Sequence, residues 1–142
     1  MQTAPREDLD IGDVIVDTEF VAELDRALTE SGRTRFMIFV RYATGTCVGG
    51  TEATFEPSDP TVAFQQNTGV DPKHRGLDLA KWLKAAMLLR IRSQHPRIER
   101  VRTENAFSNE PMLMINNALG FETVNTRTDW RAQVSDVLRT LG

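Results

Sequence analysis

The segment that most restricts what this chain can fold into is Thr68-Gly69-Val70-Asp71-Pro72-Lys73-His74-Arg75-Gly76-Leu77-Asp78-Leu79-Ala80. An extended run ends near Val70, Pro72 and Gly76 punctuate a short turn, and a helical pattern begins at about Asp78 and continues to Gln94. A strand–turn–helix junction aims amides with no helical acceptor, and the positive end of the helix dipole, at one point, which favours a phosphate. Gly76 has no side chain to obstruct a ligand, and Lys73 and Arg75 add positive charge suited to a diphosphate. Taken alone, the same residues also read as ordinary structural punctuation. A nucleotide P-loop is excluded because the G-x-x-x-x-G-K-[ST] spacing is missing, and a G-x-G-x-x-G dinucleotide fingerprint is missing too.

Around that junction the chain reads as one domain, residues 17–142, behind a polar N-terminal segment, residues 1–16. Its 142 residues can bury a core without covalent staples. A net charge of -3 provides no general attraction for nucleic acid or an anionic membrane. Cys47 is the single cysteine, which excludes an intrachain disulfide and a Cys-rich zinc centre, and His74 and His95 lack metal-ligand spacing. No metal is expected. There is no apolar run of membrane-spanning length and no leader pattern, so the expected compartment is the cytoplasm.

Periodicity divides the chain further. Phe20, Val21, Leu24, Ala27 and Leu28 recur at helical spacing, with Asp17 to cap the start and Gly32 to end the helix. Arg35 to Tyr42 reads as a buried strand and Cys47 to Phe55 as its hairpin partner across Ala43–Thr46, with a third strand from about Val62 to Val70. On the long helix, Leu79, Trp82, Leu83, Ala86 and Leu89 form the expected apolar stripe, with Lys81, Lys84 and Arg92 largely outside it. A strand over Ile98–Thr103 follows, then a helix opened by Asn109-Glu110-Pro111 and ended by Gly120. One or two closing strands are expected within Phe121–Val134, and a short helix over Ser135–Leu141. Trp82 and Trp130 are most simply core or subunit-interface aromatics.

Two motifs in this order resemble the GNAT superfamily of N-acetyltransferases. Arg75-Gly76-Leu77-Asp78-Leu79-Ala80 is similar to its pyrophosphate motif Q/R-x-x-G-x-G/A, with Asp78 in place of the central glycine. Thr103–Asn109 followed by Ile115-Asn116-Asn117-Ala118-Leu119-Gly120-Phe121 looks like the N-x-x-x-N and N-x-x-L-G-F pattern that ends the coenzyme-binding half. The match spans roughly residues 34–130. It implies an α/β (α+β) fold with a mixed, mostly antiparallel sheet, helices on both faces, and a splayed strand pair forming an acetyl-CoA cleft. By the same resemblance the pantetheine lies along the strand ending at Thr68 to Val70 and the pyrophosphate on residues 75 to 80. Asn105 and Asn109 then lie near the pantetheine and the adenosine side.

There are departures. Asp78 puts a carboxylate beside the diphosphate unless its side chain turns away to cap the helix. The family's tyrosine, general acid for the departing thiolate, aligns with Asn116, which cannot perform that role. The front of the chain is short for the family. For a general base, the acidic residues on strands are Glu52 and Glu104, each also readable as a solvated carboxylate. A backbone N–H near Val70 is placed to polarise the acyl carbonyl. The implied activity is transfer of an acetyl group from acetyl-CoA to a small-molecule or peptide primary amine. The alternative is a catalytically impaired domain that binds acyl-CoA or a partner, such as one half of a longer or duplicated member. A homodimer completed by strand exchange would supply the missing front strand.

Overall fold

The computed structural model describes residues 17–141, so the polar segment 1–16 lies outside the described residues. Helix α1 spans Thr18–Glu30. Its start is set by Asp17, whose Oδ1 accepts from the Phe20 amide at 2.8 Å. Gly32, at a φ of 71°, turns the chain away from the helix. Strands β1 (Thr34–Arg41), β2 (Cys47–Phe55) and β3 (Val62–Val70) form an antiparallel meander, and β4 (Arg100–Arg102) joins β3 in parallel, in the order β1-β2-β3-β4. Helix α2 (Leu79–Gln94) is the crossover between the parallel pair, α3 (Glu110–Ala118) follows β4, and α4 (Val134–Leu141) ends the described chain.

Alternation in β1 and β2 sorts side chains to two faces. Phe36, Ile38, Ala53 and Phe55 meet Ala63, Met87 and Ile91 in the core under α2. On the other face Arg35 bridges Asp25 of α1 and Glu52 of β2, so helices cover both faces, as expected. The sheet is mixed and mostly antiparallel.

Four expectations need correction. Strand β1 is a half-buried edge strand, not a buried one, because β2 is its only neighbour in the described sheet. The buried side of α2 is Leu83, Lys84, Met87 and Ile91, whereas Trp82 and Leu89 are more than half exposed. The helix is therefore rotated from the stripe its apolar residues suggest, and Lys84 lies inside. No strand forms over residues 121–133; a strand requires a partner's ladder, and nearly all of this stretch is exposed. Trp130 accordingly contributes nothing to the core of the described chain.

Candidate functional site

The geometry of the cleft originates in the length of β4. Its pairing with β3 is confined to Val62–Arg100, Ala63–Val101 and Phe64–Arg102. From Gln65 to Val70, β3 continues six residues beyond that last pair, held by β2 alone. Parallel strands that part in this way leave one edge of β3 facing a wedge, where alternate backbone amides are directed. The register with β2 shifts between Thr51↔Thr68 and Ala53↔Gln65, which inserts one extra residue into β3 opposite Glu52. Such a bulge twists the strand locally and re-aims its neighbours.

The end of β3 that β4 leaves unpaired runs directly into the turn between β3 and α2. Asp71 Oδ1 accepts from the Lys73 amide at 2.8 Å, which lowers the Asp71 pKa and pins a single 3-10 turn over Pro72–His74. His74 places its Nδ1 3.5 Å from Asp71 Oδ1 and its ring edge-on to Tyr42, with centroids 5.4 Å apart. Arg75 Nε donates to the Val70 carbonyl at 3.3 Å, folding the guanidinium back along the strand end. Gly76 has a φ of 79°, and a Cβ built on it would meet nothing within 4 Å. Leu77 is exposed.

Asp78 adopts the left-handed conformation, with φ 55° and ψ 12°, and its side chain makes no capping bond. This corrects the capping expectation. Aspartate is among the few non-glycine residues that tolerate this region, so the chain keeps a glycine-like turn while carrying a carboxylate. The first intrahelical bond runs from the Trp82 amide to the Asp78 carbonyl at 2.9 Å. The amides of Leu79, Ala80 and Lys81 precede it and have no acceptor within the helix. Three such donors and a helix dipole, beside the open space at Gly76, fit a diphosphate.

The other candidate residues lie on β2, on β3 and in the stretch from the end of β4 to the start of α3. Thr68 bonds through Oγ1 to Thr51 Oγ1 at 2.7 Å, and Thr51 Oγ1 accepts from Gln65 Nε2 at 3.3 Å, a polar chain on the α2 side of the sheet. Asn105 Oδ1 accepts from Asn116 Nδ2 at 2.6 Å, which ties the stretch after β4 to the interior of α3. Asn109 occupies the N-cap position of α3 but caps through its carbonyl, which receives the Met112 and Leu113 amides; its side chain makes no cap bond. Glu104 is exposed beyond the end of β4. Glu52 is buried on the α1 face, where Arg35 donates to its Oε2 from two nitrogens, at 2.6 and 2.9 Å, and Asn67 donates to Oε1 at 3.1 Å. The two acidic candidates therefore sit in opposite environments: one engaged on both oxygens, the other open to water.

Sequence reasoning missed Lys84, Gln65 and Asn67. Gln65 and Asn67 could be found only by locating the bulge, and Lys84 only by knowing the rotation of α2. Among the described residues no cluster of three or more metal-ligating side chains occurs, and no helix is long and apolar enough to cross a membrane.

No protein-family model and no curated protein matches the chain. Solved structures do. A tandem GNAT protein from the clavulanic acid biosynthesis pathway is 34% identical with a TM-score of 0.70, over 74% of this chain and 33% of that one. The chain thus spans about a third of that protein's length. An acetyltransferase of Trypanosoma brucei superposes with a TM-score of 0.59 at 20% identity, over 84% of this chain and 82% of that one. AAC(6')-Iy, solved with the bisubstrate analogue CoA-S-monomethyl-acetylneamine, superposes with a TM-score of 0.60 at 18% identity, over 83% and 81% of the two chains. At these last two identities the likeness concerns the fold.

Proposed function

The chain belongs to the GNAT superfamily, and on that premise we propose that residues 17–142 form one unit that binds acetyl-CoA and transfers its acetyl group to a primary amine. The observation that carries this reading is the combination of a wedge between β3 and β4 with a glycine-like turn at its mouth. Leu79, Ala80 and Lys81 would receive the diphosphate through their amides, with Arg75, Gly76, Leu77 and Asp78 shaping the turn. Thr68 to Val70 and Asn105 would flank the pantetheine, and Asn109 the adenosine side. Amides on the free edge of β3 face the position where an acyl carbonyl would accumulate charge.

Two residues bear on proton transfer from the acceptor amine. Glu52 is committed to Arg35 and Asn67, which keeps it an anchor of the β2–β3 bulge more than a base. Glu104, exposed past β4, is free to accept a proton directly or through water. Bound acetyl-CoA would supply the activated acyl group; this chain's residues would bind it, orient it and receive the amine's proton.

A second reading is favoured by Asn116, whose amide is bonded to Asn105 and has no acidic proton to give a thiolate. On that reading the chain binds acyl-CoA, or a partner domain, without turnover. Thermal unfolding with and without acetyl-CoA tests binding, since a ligand of the native state raises the midpoint. Thiol release over a panel of amines then separates turnover from binding. An unshifted midpoint at millimolar acetyl-CoA overturns both readings. Replacing Arg75-Gly76 with Glu-Trp should abolish the shift.

A further inference from the structure

We propose that Lys84 is a ligand-binding residue whose ammonium donates to an oxygen of the pantetheine arm of bound acyl-CoA; this rests on the acetyl-CoA reading above. Lys84 lies on the second turn of α2 and is 1% exposed, adjacent to Leu83, which enters the core at 0%. One residue further round the helix, Lys84 points past the sheet toward the turn after α3, where its Nζ sits 5.3 Å from the centre of the Phe121 ring. The Phe121 amide bonds to the Asn116 carbonyl at 3.0 Å, and Asn116 bonds to Asn105 beyond β4. This sequence of contacts links Lys84, on the wall of α2 that faces the Phe121 turn, through Asn116 to Asn105, which the acetyl-CoA reading sets beside the pantetheine.

The polarity of that wall is not matched within the protein. Desolvation alone acts on Lys84, with no hydrogen bond or neighbouring charge among the described residues to offset it. Two buried amide oxygens have no partner among the described residues: Asn116 Oδ1, on the helix that leads into the Phe121 turn, and Gln65 Oε1, on the first β3 residue beyond the last β3–β4 pair. A buried cation with an aromatic face as its nearest partner is costly to the empty protein. A ligand that brings both carbonyl oxygens and amide N–H groups would satisfy the ammonium and the two amide oxygens together. Pantetheine has that alternation of acceptor and donor; a bare phosphate offers acceptors only.

The test compares wild type, Lys84→Met and Lys84→Gln by calorimetric titration with CoA and with 3′,5′-ADP, alongside the unfolding midpoint of each protein without ligand. Lys84→Met is expected to unfold at a higher temperature than wild type, yet to bind CoA roughly tenfold or more weakly, the size of one charge-assisted hydrogen bond. Affinity for 3′,5′-ADP should be unchanged, and Lys84→Gln should also lose CoA affinity. A stabilised variant with wild-type CoA affinity would show Lys84 to be only a tolerated core lysine and would overturn the assignment. Equal losses for CoA and 3′,5′-ADP would overturn the pantetheine contact. Wild type that binds neither ligand would bring down the acetyl-CoA reading itself, a result distinct from either.

Discussion

Lys84 also makes a prediction that needs no ligand. Burial lowers its pKa from 10.5 to about 8. The unfolded chain holds this proton up to about 10.5, while the folded chain releases it near 8. Below pH 8 both states are protonated and the folded state carries the whole penalty. Between the two values the unfolded state binds more protons, so raising the pH favours folding. At ~1.4 kcal/mol per unit the penalty is ~3 kcal/mol at pH 7, falling by ~2 kcal/mol by pH 9.5. Lys84→Met keeps the length and apolar stem and removes the charge. It should therefore be more stable than wild type by ~2 kcal/mol or more at pH 7, with most of that advantage gone at pH 9.5. With a urea m-value of ~2 kcal/mol per molar, this is a midpoint difference of ~1 M that narrows as pH rises. Parallel urea titrations at pH 7, 8, 9 and 9.5 measure it, and comparing two proteins cancels the titration of exposed groups. A difference that stays constant across the range would refute the argument, since it would mean that the ammonium is not desolvated.

The remaining predictions concern the framework of the site. Arg35→Met strands the buried Glu52 carboxylate without its cation and should cost ~3 kcal/mol in urea unfolding at pH 7; a loss under ~1 kcal/mol would mean that water reaches Glu52. Asp78→Gly should stabilise the fold by about 1 kcal/mol, by relieving a left-handed aspartate, and, on the proposed acetyl-CoA reading, should tighten binding by removing a carboxylate beside the proposed diphosphate position. Tighter binding without added stability would leave the strain argument unsupported. The Asp71 carboxylate is held below its ordinary range first by the Lys73 amide, so its contribution is present above that range and lost as pH falls through it. The midpoint of wild type should accordingly drop more steeply below pH ~4 than that of Asp71→Ala.

A charge on Lys84 that destabilises the empty protein, and an aspartate where a glycine would be unstrained, are both local conflicts between sequence and fold. Conflicts of that kind collect at functional surfaces, where stability is exchanged for a ligand or a shape. One is the N-cap residue of α2 and the other lies on its second turn.

Local chemistry determined much of this architecture. Asp17 and Gly32 delimit α1, the apolar runs of β2 and β3 begin and end where the extended residues do, and Pro72 and Gly76 set the turn that leads into α2. Those features depend on dihedral preference and on bonds spanning three or four residues, which neighbours in the chain decide among themselves. The tertiary structure decided the rest. Lys84 reads as polar and therefore outward, but α2 is rotated by the side chains of β2 and β3 beneath it and by the Phe121 turn beside it. One or two closing strands are expected within Phe121–Val134, yet a strand exists only as half of a ladder, and no partner strand among the described residues pairs with this stretch. The wedge itself is invisible in sequence for the same reason: it exists because β4 ends after three residues while β3 continues, a relation between segments that pairing in space alone can set.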